Sequence, residues 1–459
     1  MPKSHYDAGD AIRSRRRVDL MPPGARPQLL GFWMCVALVV GNTIGSGIFM
    51  LPASIAPYGL NSLIGWAFTT CGALVLAVVF ARLSRAIPEA GGPYAYVRLA
   101  FGPFPAFIVA WGYWISVWVG NVSIATGTVS YLSSLLPWIA RVPGASAAVS
   151  LLLLWSLTLI NWYGVKAAGW VQSVTTVLKI LPLLAVIVLG LAFLRPAAVV
   201  ASSIPISLDG TTASATLTLW ALLGLESATV PASKVRDPAR TIPRATLVGT
   251  LATALICVLA CTTVILLLPQ RTLATSDAPF VDLVARYWGG AAGKAVAVLA
   301  AISGFGALNG WILLQGEMPN VMAKNGVFPS VFAQDSPRGT PSFALWFSSA
   351  LVTVLVLMNH QKSMVSVFTF MILLSTTACL VTYLLCSLAL LRLQYLGRFA
   401  GTYRAGSLAL VGTLGALYSL WAIAGAGSDA VIWGFVLLAL GAPMYLAMRR
   451  RRWRSAHAS

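Results

Sequence analysis

The chain has 459 residues, of which 58% are hydrophobic and only 9% charged, and it carries a formal net charge of +19. That balance excludes a soluble globular enzyme or binding domain; apolar stretches long enough to cross a bilayer recur along nearly the whole length, about twelve of them by hydropathy. Such a basic excess would suggest nucleic acid in a soluble protein, but here it reads as a topology signal, and nucleic acid is not an expected partner.

In chain order, residues 1–27 form a polar, Arg-rich tail without the apolar core of a cleaved signal peptide. The predicted spans cover residues 29–56, 62–86, 104–135, 145–161, 168–194, 217–232, 245–268, 291–322, 342–358, 363–391, 408–424 and 430–448. A turn-rich loop, 88–94, precedes the third, and a polar stretch, 202–214, leads into the sixth. With the N-terminus inside, only Arg141, Arg195, Arg271, Arg286, Lys294 and Lys362 fall outside; Lys179 lies within a span, and every other Lys and Arg is inside. Both termini are therefore expected in the cytoplasm, with an even number of spans.

Two spans are broken by residues that a plain membrane helix avoids. The first reads Gly41-Asn42-Thr43-Ile44-Gly45-Ser46-Gly47, the sixth Trp220-Ala221-Leu222-Leu223-Gly224-Leu225-Glu226-Ser227. Peptide groups freed from helical pairing cost several kcal/mol in hydrocarbon unless they line a cavity or bind something. Two such breaks are the mark of a discontinuous-helix transporter with a midplane site. The breaks stand five spans apart, so the expected fold is all-α: a 5+5 inverted repeat (28–194 and 212–391), a further pair (405–448) and a basic tail (449–459).

The Gly45-Ser46-Gly47 break opens a half-helix N-terminus suited to a carboxylate, while facing carbonyl ends suit an ammonium. Together they fit a small zwitterion. Mid-membrane ionisable groups reduce to Lys179 and Glu226; Glu89 and Glu317 lie near the inner surface. Glu226 follows the second break and reads either as a gate or as a protonated cap on exposed backbone. Lys179, ~16 Å from the nearer end of its span, reads as a stand-in for sodium against unwound carbonyls, as a proton carrier, or as a fixed structural cation. Tyr113, Ser116, Val117, Gly120, Asn121 and Ile124 share one face of the third span. Trp220 stands by the second break and Trp311 well inside its span; Ser375 and Tyr383 could complete a pocket. The six cysteines, Cys35, Cys71, Cys257, Cys261, Cys379 and Cys386, read as small buried hydrophobes. No metal or other cofactor is expected.

The strings GNTIGSGIFMLPA at 41–53, GGPYAYVRLAFGPF at 91–104, YWISVWVGN at 113–121, LWALLGLESA at 219–228 and GWILL at 310–314 resemble the amino acid–polyamine–organocation transporters, most of all the bacterial arginine/agmatine exchangers. The resemblance implies a LeuT-like fold, alternating access and a bacterial inner-membrane location. It implies that Ser46 and Gly47, flanked by Asn42, Ile44 and Gly45, hold a substrate carboxylate. Trp220 would stack on a guanidinium, Trp311 would form a middle gate, and Tyr113, Glu226 and Tyr383 a distal gate. Asn121, Leu223 and Ser375 match other pocket positions. Ser116 and Val117 stand where those exchangers have a small residue and a cysteine, Ile124 where they have a methionine, and Lys179 where they carry no charge.

The expected function is exchange of a cationic amino acid, arginine, for its decarboxylated amine, agmatine. A proton-coupled carrier or broad exchanger of neutral amino acids that uses Lys179 stays open. A membrane enzyme or sensor is the remote alternative, because the sequence offers no metal cluster and no nucleophile–base pair. The expected partners are a small amino acid or amine and the lipid bilayer; a homodimer is left open.

Overall fold

A computed structural model describes residues 30–457 apart from 46, 89–91, 164–177, 195–203, 230–231, 233–234, 337–338 and 400–402. The N-terminal tail, Ser46, Glu89 and the turn before the fifth span lie outside the described residues. The rest is helical; Leu30 and Val235 form an isolated bridge, and no strand is present among the described residues. The order is α1 (Phe32–Thr43), α2 (Gly47–Ile55), α3 (Asn61–Ala86), α4 (Pro93–Phe101), α5 (Pro103–Leu135), α6 (Ala145–Tyr163), α7 (Ile180–Phe193) and α8 (Leu208–Leu219). There follow α9 (Pro238–Leu267), α10 (Pro279–Trp288), α11 (Gly290–Lys324), α12 (Ser342–Met358), α13 (Met364–Tyr395), α14 (Ala405–Ala424), α15 (Ser428–Ala439) and α16 (Gly441–His457).

Eight helical stretches among the described residues are long and apolar enough to cross a membrane, and the bent pair α1–α2 makes a ninth. The α7 and α12 helices are shorter apolar helices. Long helices form the centre: α5 has 33 residues, α11 35 and α13 32, well beyond the ~20 that a bilayer needs. Both α11 and α13 pack on α5, the most buried of the spans, whereas the stretch Ser428–Arg450 is the least buried.

The helix before the second break starts earlier than sequence suggests. Residues 208–214 read as polar loop, yet they open α8. Ser207 caps it by accepting from the Gly210 N–H at 3.0 Å. Its hydroxyls are satisfied by α3: Thr211 Oγ1 donates to Asn61 Oδ1 at 3.2 Å and Ser214 Oγ to the Asn61 carbonyl at 3.0 Å. Farther along, Thr69 Oγ1 donates to the Ala215 carbonyl at 2.7 Å. Gly65 makes this contact possible, because a Cβ there would lie 2.5 Å from Ser214 Oγ and 2.9 Å from the Ala215 nitrogen. Residues 93–101 and 279–288, which lie between the predicted spans, are also helical, each opened by a proline in its first turn. Cys71 is a second correction: it is exposed, on the outer face of α3, while the other five cysteines are buried.

Candidate functional site

Both predicted breaks are present. The first half-helix, α1, ends at Thr43, Ile44 turns extended (ψ 96°), and α2 starts at Gly47 with the axis bent by 47°. All nine residues of α2 are buried. Its first amides have no intrahelical acceptor and form the positive end of a helix dipole inside the protein.

The second break follows Leu219. A 3₁₀ turn, Trp220–Leu222, leads to an extended Leu223, then to Gly224 at φ +96°, a conformation that favours glycine. A second 3₁₀ turn, Ser227–Thr229, folds back, with Ser227 Oγ donating to the Gly224 carbonyl at 2.5 Å. The freed backbone is stitched to α13: the Gly224 N–H donates to Tyr383 Oη at 3.3 Å, and that hydroxyl donates to Glu226 Oε2 at 2.5 Å. Glu226 is fully buried, and its Oε1 has no hydrogen-bond partner among the described residues. Tyr113 of α5 also faces this carboxyl.

The two breaks touch. A Cβ on Gly224 would lie 3.6 Å from the Asn42 carbonyl oxygen, and one on Gly47 would lie 2.0 Å from Trp220 Nε1. The Trp220 indole therefore rests on the first residue of α2. Trp311 of α11 stands beside it, ring centroids 5.8 Å apart at 44°. Gly120 gives both rings room: a Cβ there would meet Trp220 at 2.9 Å, Trp311 at 3.0 Å and Ser375 Oγ at 3.3 Å. Ser375 Oγ donates to the Ser116 carbonyl at 2.7 Å. Seven elements thus converge: α2, α5, α8, the Trp220 turn, the Gly224 loop, α11 and α13.

Most residues singled out by the sequence gather here, with two differences. Of the berth expected over Gly45–Gly47, the space against Gly47 is taken by the Trp220 indole, while Gly45 faces Ala307. A cavity of about 20 Å³ lies elsewhere, between Thr126, Ser150, Asn359 and Met364. Asn121 commits its amide N–H to a neighbouring helix, donating to Gln315 Oε1 at 2.7 Å. Gln315, a residue the motifs do not single out, also links to α12, donating to Ser349 Oγ at 2.8 Å. Val117 and Ile124 are buried in α5, Ile44 and Leu223 are buried at the breaks, and Asn42 and Gly45 are partly exposed. Lys179, 1% exposed, donates to the Gly41 carbonyl in the last turn of α1; no carboxylate salt bridge to it is present among the described residues. No His, Cys, Asp and Glu group suited to a metal occurs among the described residues.

Apolar spans that unwind in pairs around buried polar backbone define a multi-pass membrane transporter of small solutes. The family profile described as amino acid permease matches residues 30–448. The chain belongs to that family of amino acid and polyamine transporters, part of the amino acid–polyamine–organocation superfamily. It is 31% identical to a Bacillus subtilis protein bearing the provisional name arginine/ornithine antiporter, over 87% of this chain and 92% of that one. It is 30% identical to the putrescine transporter PotE of Haemophilus influenzae, over 92% and 97%. It is 31% identical to the cadaverine/lysine antiporter of Escherichia coli, over 72% and 74%. The crystal structure of an Eremococcus coleocola manganese transporter, in complex with an aromatic bis-isothiourea substituted compound, superposes with a TM-score of 0.51 at 14% identity, over 90% of this chain and 91% of that one, and shares its fold. The all-helical fold with a broken first span and the transporter class, both expected from sequence, therefore hold.

Proposed function

We propose that this protein exchanges a cationic amino acid for its decarboxylated amine, with arginine and agmatine as the first pair to test. The observation that carries the reading is the meeting of the two breaks, Trp220 lying on Gly47. It puts donor amides, an aromatic face and a buried carboxyl in sequence along one short path. A substrate displaces the indole from Gly47. Its carboxylate takes the first amides of α2, with Ser46 and Gly47 at the contact and Asn42, Ile44 and Gly45 beside it. Its charged end lies against Trp220 and Trp311, walled by Ser116, Val117, Asn121, Ile124, Leu223 and Ser375. Tyr113, Glu226 and Tyr383 close the path. The substrates that the relatives are named for support the same chemistry, since arginine, ornithine, lysine, putrescine and cadaverine are all dibasic amino acids or diamines.

Decarboxylation removes one negative charge, so exchange of amino acid for amine moves net positive charge with the amine. Proteoliposomes loaded with agmatine should take up labelled arginine, faster when a potassium diffusion potential favours amine exit. Empty vesicles should not. Putrescine with ornithine and cadaverine with lysine are the comparison pairs.

One observation favours a second reading. The Lys179 ammonium on the Gly41 carbonyl puts a cation at the end of α1 without sodium, which supports proton-coupled carriage of neutral amino acids. Accumulation of alanine or serine in empty vesicles under an imposed proton gradient alone replaces the first reading with this one. The basic residues at both chain ends and along alternate loops support termini in the cytoplasm of a bacterial cell.

A further inference from the structure

A buried run of hydrogen bonds leads from Asn121 into the helix bundle, and its direction is fixed from the far end. Thr158 Oγ1 donates to the Leu154 carbonyl at 2.8 Å. A carbonyl only accepts, so the single Thr158 proton is committed there. The Thr158 and Ser349 hydroxyls are 2.8 Å apart, and the proton between them must therefore come from Ser349. Ser349 then offers Gln315 only a lone pair, which Gln315 Nε2 fills at 2.8 Å. That orientation turns Gln315 Oε1 toward Asn121, whose Nδ2 donates to it at 2.7 Å. Reversing the run would forfeit the Thr158–Leu154 bond. Asn121, Thr158, Gln315 and Ser349 are all inaccessible to solvent.

The consequence falls on the open end. With its N–H groups drawn toward Gln315, Asn121 is left with Oδ1, a buried acceptor that has no partner among the described residues. Asn121 adjoins Gly120, which packs on Trp220, Trp311 and Ser375. Gln315 stands one turn from Trp311 on α11. Ammonium and guanidinium groups are donors only, so an acceptor oxygen matches them and an amide N–H repels them.

We propose that Gln315, held by Ser349 and Thr158, is a specificity-determining positioning residue: it fixes the Asn121 amide so that an acceptor oxygen meets the charged end of the transported molecule. This inference rests on the exchange reading above. It assigns part of the preference for cationic over neutral side chains to residues that never touch the substrate.

The test compares arginine with norvaline, which shares the amino acid end and lacks the guanidinium, by equilibrium binding to the purified full-length protein in nanodiscs. Gln315→Leu should lower the ratio of arginine to norvaline affinity by ~10-fold, the weight of one hydrogen bond to a charged group. Thr158→Val removes the anchoring hydroxyl at the far end and should lower the ratio in the same direction; it carries the test if Gln315→Leu does not yield folded protein. An unchanged ratio in these variants, or equal loss for both ligands, overturns the proposal. A wild-type protein that binds norvaline as tightly as arginine, agmatine and the other dibasic compounds overturns the exchange reading, and the proposal with it.

Discussion

The contact between the breaks can be probed with one methyl group. Gly47→Ala would place a Cβ 2.0 Å from Trp220 Nε1, 2.9 Å from Cδ1 and 3.1 Å from Cε2. Carbon and nitrogen settle near 3.5 Å, so the indole must retreat by roughly 1.5 Å. It cannot do so freely, because Trp311 and Gly120 stand behind it. Overpacking of this kind costs about 1–3 kcal/mol, and Gly47→Ala should destabilise the substrate-free protein by that amount in SDS-induced unfolding in mixed micelles. The mechanism makes a sharper demand of a double-mutant cycle. With Trp220→Ala in place the clash is gone, and Gly47→Ala should then cost under about 0.5 kcal/mol, a coupling expected only of residues in contact. Equal cost in both backgrounds would refute the packing of the indole on α2. A stabilising effect would point instead to the ordinary helix preference for alanine over glycine.

Other outcomes follow from neighbouring contacts. Trp220→Leu should weaken arginine binding by about 2 kcal/mol, the scale of a desolvated cation–π contact, and norvaline binding much less, as titration calorimetry would show. Tyr383→Phe deprives both the Gly224 N–H and Glu226 Oε2 of a partner; stability should drop by about 1–3 kcal/mol for each group left unpaired, and counterflow should slow. Lys179→Ala leaves the Gly41 carbonyl without its donor and should abolish exchange or change its pH profile; wild-type behaviour would mark the lysine as inert. Between α9 and α11, burial and the nearby Asp282 carboxylate push Asp277 above the usual carboxylate range. The docked loop therefore favours the protonated form, so its stability is full in acid and declines as pH rises through the raised value. Hydrogen exchange along α10 should accelerate over that interval after correction for intrinsic rate, and Asp277→Asn should flatten the dependence.

The breaks were legible because glycine and serine are costly inside an apolar run unless freed backbone has somewhere to go. Glu226 and Tyr383 were legible for a related reason: a carboxyl at membrane depth needs a donor, and Tyr383 provides it. The start of α8 was not, since a Ser- and Thr-rich stretch looks like loop until Asn61 of α3 is seen to satisfy it. Nor was the filling of the first break. Sequence places Trp220 near the second break, but only packing shows its ring across the first. Sequence places Asn121 on one helix face with Tyr113, Ser116 and Gly120, whereas the direction of its amide depends on Gln315, Ser349 and Thr158, residues on three other helices. Cys71 shows the limit of composition: a small apolar residue in a span can stand on the exposed face as readily as in the core.

Thr69 grips α8 twice, through the Ala215 carbonyl and through the Thr218 hydroxyl at 2.7 Å, while Gly65 brings the two backbones into contact. The segment that ends at the Trp220 turn cannot shift without dragging α3 along. Thirteen positions beyond Thr69 on that rod, ~20 Å away at 1.5 Å per residue, Arg82 is clasped by Ser407 at 2.7 Å and lies over the Tyr403 ring. The indole thus sits at one end of a lever whose handle is at the membrane surface, and loosening the Arg82 clasp should register as a change in Trp220 mobility at the far end.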